Sequence, residues 1–375
     1  MAARIYFDNA ATTPIDPEVL TTMMPYFTEH FGNPSSIYSY GRETKMAIEK
    51  ARKSVALILN ARPSEIFFTS GGTESSNTAI FSAVRQLGCK RIITSSIEHH
   101  ATLHTCGFLH KNGEAVVEYV NILSNGHIDM EDLEKKLNAE SSKTLVSLIH
   151  ANNEIGNITD INAVGELCKK YNAIFHADTV QTVGHFPFNL KETKVDFITG
   201  AGHKFHGPKG AGILYINSET AIEPFIHGGG QERNMRSGTE NIYGIVGFAK
   251  ALEIATANHN ADKIHISELK LYLKRKLEKD FKGIIFNGDP EGNSLYTVLS
   301  VGFPRNEKSD MLLFNLDVNN ICASGGSACS SGAEQGSHVI RALGNNTHNT
   351  VRFSFSKFNT KDEIDILLKK LSELN

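Results

Sequence analysis

The sequence predicts an α/β fold: a large domain on a mostly parallel sheet covered by helices, with a smaller α+β domain beside it. Three observations carry this expectation. Short continuous apolar runs alternate with segments of helical period through the first two thirds of the chain, the pattern of strands buried on both faces between crossover helices. The alternation changes near residue 260, where a long amphipathic stretch begins. Finally, 375 residues with 40% hydrophobic side chains exceed what one core ordinarily holds. The boundaries that follow are 15–260 for the large domain, and 1–14 together with 261–375 for the small one.

The elements are read in order. "EIFFTS" (65–70) is a strand, and "GGTESSNTAIFSAVRQL" opens a helix. "RIITSSIEHH" (91–100) is a strand and turn, and "TLVSLIH" (144–150) and "NAIFHAD" (172–178) are strands. Between the last two, "DINAVGELCKKY" (160–171) places Ile161, Val164, Leu167 and Cys168 on one helical face. "DFITG" (196–200) and "GAGILYI" (210–216) are two more strands. In the small domain, "KIHISELKLYLKRKLEKDF" (263–281) reads as one amphipathic helix. There follow "LYTVLSVGF" (295–303), the helical "DMLLFNLDV" (310–318), a Gly/Ser loop, "VRFSFSKF" (351–358) and a closing helix, "KDEIDILLKKLSEL". No internal repeat or low-complexity linker interrupts the chain.

Composition excludes several classes of function. A formal net charge of −3 leaves no electrostatic footprint for nucleic acid or a membrane surface. No run approaches the ~20 apolar residues of a membrane span, and "MAARIYFDNAATTP" lacks the apolar core of a secretory leader. The five cysteines, Cys89, Cys106, Cys168, Cys322 and Cys329, are scattered and form no CxxC pair. Neither a zinc knuckle nor a disulfide framework is expected, and the setting is taken as reducing and cytoplasmic.

Five segments hold residues suited to chemistry. In "TSGGTESSN" (69–77), two glycines free the backbone and Thr73 stands where a helix begins, so Gly72 and Thr73 could present helix N–H groups to a phosphate. An ordinary Gly-rich turn with a hydroxyl cap reads the same way. In "FHADTVQTVG" (175–184), Asp178 ends a strand, where α/β folds bind ligands, though a helix cap is equally consistent; Gln181 would be its capping partner or a second contact. "TGAGHKFHGPKGAG" (199–212) surrounds Lys204 and Lys209 with five glycines and a proline. A lysine packed in such a loop, its pKa lowered by burial, can form a Schiff base; Lys209 reads instead as a basic turn. For Lys204 the choice between a basic turn and a Schiff base depends on what faces it: Asp178, one βα unit upstream, could converge with it, and a Schiff-base lysine with an acidic partner is the arrangement that pyridoxal phosphate (PLP) requires. "EHHATLH" (98–104) sets His100 and His104 four apart, as a zinc pair would be, but it is not HExxH and implies no third ligand; no metal site is assigned. His99 beside them suits stacking on a flat cofactor. Arg352 in "VRFSF" alternates with apolar neighbours and would offer a planar fork to a carboxylate, unless it faces outward from a sheet edge.

Taken together, "YFDNAATTP" (6–14), "TSGGTESSN", "EHHA", "NNEIG" (152–156), "FHADTVQ", "GHKFHGPKG", "HGGGQERNMRSGT" (227–239), "SGGSACSSG" and "VRFS" span nearly the whole chain. In these motifs, which keep the family's order, the chain resembles the cysteine desulfurases of the NifS/IscS group, PLP enzymes of the class V aminotransferase family. The resemblance implies PLP-transferase fold type I, with a seven-stranded sheet in the large domain. It also implies roles. Lys204 would carry pyridoxal 5′-phosphate as a Schiff base, Asp178 would pair with the ring nitrogen, Gln181 would bond the ring oxygen, and His99 would stack on the ring and move protons. Gly72, Thr73 and His203 would serve the phosphate, and Thr239 the phosphate of the neighbouring subunit in a homodimer. Asn153 and Arg352 would hold the substrate carboxylate. One position departs from the family pattern: Ala201 stands where serine usually contacts the phosphate, with Thr199 as a nearby substitute whose role the sequence leaves open.

Cys329 would be the nucleophile. A Gly/Ser loop leaves a thiol exposed and free to travel, as a sulfur carrier requires, whereas Cys168, Cys89 and Cys322 read as small buried residues. The uninterrupted "SACSSGAEQGSHVIRALG" resembles the long-loop branch, which hands sulfur to iron–sulfur scaffold proteins. The resemblance thus implies conversion of L-cysteine to L-alanine, with a persulfide on Cys329 passed to a scaffold or another thiol acceptor. Selenocysteine lyase and cysteine sulfinate desulfinase chemistry on the same fold are the nearest alternatives, and neither needs Cys329 absolutely. A zinc hydrolase on His100 and His104 or a non-catalytic scaffold subunit is more distant.

Overall fold

The structure, a computed structural model, describes residues 4–326 and 336–374. Seven strands form the central sheet, in the spatial order Ile66–Thr69, Gly212–Ile216, Phe197–Ala201, Ile174–Asp178, Thr144–Ile149, Arg91–Ser95 and Val116–Val120. Gly212–Ile216 runs antiparallel to both its neighbours, and the other six point the same way. The apolar runs of the sequence are these strands because both sheet faces are covered. Val146 and Leu148 pack with Phe68, Phe175, Ile198 and Phe248 on one side, and Leu145 packs with Ile80, Ile92, Cys106 and Leu109 on the other. The edge strand Val116–Val120 carries Glu118 and is largely open to solvent, so it shows no continuous apolar run.

A second hydrophobic cluster gathers Phe7, Leu273, Leu277, Leu299, Phe303, Leu316, Phe353 and Leu367. It lies around an antiparallel sheet of Ile285–Phe286, Val298–Pro304 and His348–Ser354, with the closing helix Lys361–Leu374 against it. The N-terminus belongs to this cluster: Ile5–Tyr6 pairs in parallel with Ile321–Cys322, and Phe7 meets the rings of Phe353 and Phe355 edge-on.

The helix expected at 263–281 is longer than its apolar stripe. It runs without a break from Ile242 to Asp280, 39 residues. Its first part, including Ile245, Phe248 and Leu252, packs in the first cluster, and its last part, including Ile266, Leu269 and Leu273, in the second. Residues 253–265 between them are mostly exposed and show no stripe, which is why the pattern hid their helical state. Among the described residues no helix is long and apolar enough to cross a membrane.

Candidate active site

The codirectional strands deliver their carboxyl ends to one edge of the sheet, where open α/β folds form ligand crevices. Ile66–Thr69 leads to Gly72, Arg91–Ser95 to His99 and Thr144–Ile149 to Asn153, while two other strands end on Asp178 and Ala201. His203 and Lys204 follow in a single 3-10 turn. These residues, with Thr73, Gln181 and Arg352, line a cavity of about 250 Å³. The structure therefore brings together every expected cofactor- and substrate-binding residue except Thr239, which is exposed and outside the cavity. Cys329 lies outside the described residues.

At one end the helix Gly72–Arg85 begins. Its cap is Gly71, with φ +150°, and no side chain caps it; Thr73 is already inside the helix rather than its cap. The first-turn N–H groups are thus left for a ligand anion. At Gly72 a Cβ would lie 2.5 Å from Val180 Cγ2, so any larger residue would have to displace the Val180 side chain. His203 shares this end, its Nδ1 3.1 Å from Thr12 Oγ1. Burial, reinforced by the Lys204 and Lys209 charges, pushes its pKa down to about 4. Lys209 itself is exposed, in keeping with a turn residue.

At the centre, Asp178 is 4% exposed, and its Oδ1 accepts from Val180 N at 3.0 Å and Thr199 Oγ1 at 3.3 Å. No helix follows it, so it caps a turn, not a helix. The Thr199 hydroxyl is committed to Asp178 and does not stand in for the hydroxyl missing at Ala201. His99 caps the helix His100–Lys111 by accepting from Ala101 N on Nδ1 at 3.1 Å. That bond places the lone pair on Nδ1 and the proton of the neutral ring on Nε2. Burial lowers its pKa, against the pull of Asp178 and with the push of Lys204, so the ring is neutral near pH 7. Lys204 Nζ donates to Ala10 O and Ala11 O at 2.6 and 2.9 Å, and Gln181 Nε2 donates to the same Ala10 O at 3.0 Å. The backbone of the N-terminal segment thus forms one wall of the site, a role its side chains do not announce.

At the other end Arg352 faces inward and is 1% exposed. Its guanidinium donates to Asn153 O at 2.8 Å and to Asp8 Oδ1 at 2.7 Å, while its buried Nε has no partner among the described residues. Asn153 thus meets Arg352 through its carbonyl. Asp8 was not anticipated, since only the fold brings residues 8 and 352 together. Glu98, next to His99, was also missed: it is fully buried, and burial pushes its pKa up to about 8.

The remaining candidates pack as ordinary side chains. His100 packs between His104 and His338 in tilted ring contacts, with centroids 4.8 and 4.7 Å away. Cys89, Cys106 and Cys168 are buried, and burial raises their thiol pKa values. Cys322, expected to be buried, is only partly so, because its short strand lies at the edge of the small sheet pair.

Residues 5–367 match the family described as aminotransferase class-V. The chain belongs to this family. Among class-V relatives, a protein named cysteine desulfurase IscS from Dictyoglomus turgidum is 43% identical, covering 100% of this chain and 95% of its own. Another of that name, from Methanosarcina thermophila, is 43% identical over 99% of this chain and 91% of its own. Among solved structures, one titled NifS-like protein superposes with a TM-score of 0.91 at 40% identity, covering 99% of each chain. A second, titled SspA in complex with cysteine, gives 0.80 at 32% identity, covering 96% of this chain and 100% of its own.

Class-V aminotransferases of this kind depend on PLP, and the cavity fits it. The uncapped helix start at Gly72 suits the phosphate, and the close approach of Gly72 to Val180 leaves the backbone bare there. Buried Asp178 suits a protonated ring nitrogen, neutral His99 suits a ring face, and Lys204 supplies the amine.

Proposed function

We propose that the chain is a PLP-dependent cysteine desulfurase, which takes the sulfur of L-cysteine, releases L-alanine and receives the sulfur as a persulfide on Cys329. The observation that carries the reading is the meeting of Lys204, Asp178, His99 and Arg352 in one cavity, in a chain whose full-length relatives are named for this activity.

When bound, PLP supplies a carbonyl for attachment to an amine and a ring that withdraws electrons from the substrate's Cα–H bond. The chain does the rest. Gly72, Thr73 and His203 hold the phosphate end, Asp178 the ring nitrogen, and Gln181 the ring oxygen. Arg352 holds the substrate carboxylate, with Asn153 and Asp8 keeping its guanidinium in place. Lys204 Nζ takes the proton from the substrate Cα, and His99 offers its Nε2 proton at the ring face. The Cys329 thiolate attacks the substrate sulfur; the S–S bond forms as the Cβ–S bond breaks, and protonation of the three-carbon remainder yields alanine.

The same proposal extends to a homodimer in which Thr239 reaches the partner's phosphate site. Supporting it is an exposed apolar face, where Phe27 stacks on Tyr243 of the long helix at 4.3 Å and Phe31, Tyr38 and Tyr40, in and just after the following loop, stand open. The proposed domain division stays at 15–260, and 1–14 with 261–375; separate hydrophobic clusters around the two sheets support it. An iron–sulfur scaffold protein is the proposed sulfur acceptor and the cytoplasm the proposed location.

The test is purified protein with L-cysteine, wild type beside Cys329→Ala, with alanine and persulfide measured. Both products in wild type and neither in the variant are expected. Alanine made without Cys329 would replace the proposal with a lyase that needs no persulfide.

A further inference from the structure

The turn "NNEIG" does more than present Asn153. Asn152 is buried; its Oδ1 accepts from Glu154 N and Ile155 N, and its Nδ2 donates to Ile97 O at 2.7 Å, two residues before His99. Asn153 gives its carbonyl to Arg352. Glu154 comes next, 1% exposed, with a side chain that no step above uses.

Its carboxyl bonds Ser337 and lies beside Gly326, residues that flank the segment carrying Cys329. Downstream, Ser337 Oγ is 2.5 Å from Glu154 Oε2 and also accepts from Val339 N and Ile340 N, capping the helix His338–Ala342. With its lone pairs taken by two N–H groups, the serine hydroxyl must donate its proton to Glu154. Upstream, Gly326 has φ +135°, and a Cβ there would collide with the same Oε2. Gly326 is tied back through Ser324, whose Oγ donates to Gly326 O at 2.9 Å and whose backbone pairs with Arg352. Two further contacts dock the downstream helix: His338 Nε2 lies 2.9 Å from Glu98 O, and Val339 and Ile340 pack on Ile97 and Ile155.

We infer that Glu154 is a positioning residue for sulfur transfer: it sets the two ends of the Cys329 segment against the cavity edge that holds His99 and Arg352. The inference rests on the reading of Cys329 as the sulfur acceptor. A buried carboxyl that accepts from Ser337 and leaves no room for a side chain at Gly326 holds these two flanking residues to one point of the cavity edge.

The test uses full-length, cofactor-loaded protein: wild type, Glu154→Ala, Glu154→Gln, Ser337→Ala and the Glu154→Ala/Ser337→Ala pair. Two readouts are taken, persulfide formed on Cys329 in a single turnover, and L-alanine affinity from the visible spectrum of the bound cofactor. Glu154→Ala should slow persulfide formation by roughly ten- to a hundredfold, the scale of a misplacement of about 1 Å. Its L-alanine affinity should stay within about twofold of wild type, because ground-state binding is not what the residue serves. Glu154→Gln, which keeps an acceptor oxygen, should recover part of the rate, and Ser337→Ala should lose part of it. The pair should be no slower than Glu154→Ala alone, because the two residues act as one unit. An unchanged persulfide rate in Glu154→Ala, or an equal loss in both readouts, overturns the inference; if Glu154→Ala fails to fold, Ser337→Ala decides by the same criteria. A wild type that forms no persulfide overturns the functional reading itself, and this inference with it.

Discussion

Restoring a hydroxyl at Ala201 probes the phosphate end of the site. Ala201 closes the strand Phe197–Ala201, lines the cavity and is 2% exposed. Thr199, two residues back, is fully buried with its hydroxyl on Asp178, so it has no spare proton to offer the phosphate. The Ala201→Ser hydroxyl would add one donor to a charged acceptor, and such a bond is worth about 1.5–3 kcal/mol net. At about 1.4 kcal/mol per tenfold, the PLP dissociation constant should fall roughly 10- to 150-fold. The assay is titration of cofactor-free protein with PLP, followed by its visible absorbance, with inorganic phosphate as competitor. Phosphate should tighten along with PLP, because the new contact belongs to the phosphate and not to the ring. An unchanged PLP dissociation constant would refute the reasoning, showing either that the cavity meets the phosphate elsewhere or that the added hydroxyl stays on a backbone carbonyl.

Other outcomes follow from the same geometry. Arg352→Lys should raise the KM for L-cysteine, since lysine cannot span Asp8, Asn153 O and a substrate carboxylate at once; a KM within about twofold of wild type would count against its role. His176 and His206 are buried and His150 and His185 half-buried, and desolvation lowers each to about 4 from an unfolded value of 6.5. Each is neutral when folded and protonated when unfolded in that window, so stability should be full above pH 6.5 and fall as pH drops toward 4, by up to about 1.4 kcal/mol per unit for each histidine. Urea unfolding midpoints at several pH values check this, and a flat profile between these limits would contradict it. Glu98 has the opposite sign, its folded pKa being raised from 4.5 to about 8, so its contribution is present below 4.5 and lost as pH rises through 8. The stability of Glu98→Gln relative to wild type should therefore climb by about 1.4 kcal/mol per unit across that window; a constant difference would show that Glu98 is already ionised.

Much of the site was legible because its residues sit in short motifs at strand ends. Lys204, Asp178 and Gly72 are recognisable locally: a lysine among glycines, an acid closing an apolar run, a glycine pair before a helical period. Asp8 was not, because what makes it part of the site is Arg352 at the far end of the chain. The same distance hides the buried pair of Arg52 and Glu232, 2.7 Å apart, since neither residue's neighbours announce a partner. Glu98 and Glu154 were passed over for a related reason: a carboxyl beside a histidine or an asparagine reads as solvated until burial is known. The helix from Ile242 was cut short because periodicity reports packing, and its middle packs on nothing that would impose a stripe.

That helix has a consequence for how the molecule comes apart. At about 1.5 Å per residue it is nearly 60 Å long, and its hydrogen-bonded ladder serves both hydrophobic clusters. Melting either cluster would strip a helix end of its packing, and helices of this kind owe most of their stability to packing. The N-terminal segment binds the same two regions from the other side: Phe7 packs in the second cluster, while Ala10 and Ala11 hold Lys204. The two cores are thus cross-braced by a rod and a strap, and calorimetry of the full chain should record one cooperative transition, with the lysine losing its setting at the same temperature as the last strand of the small sheet.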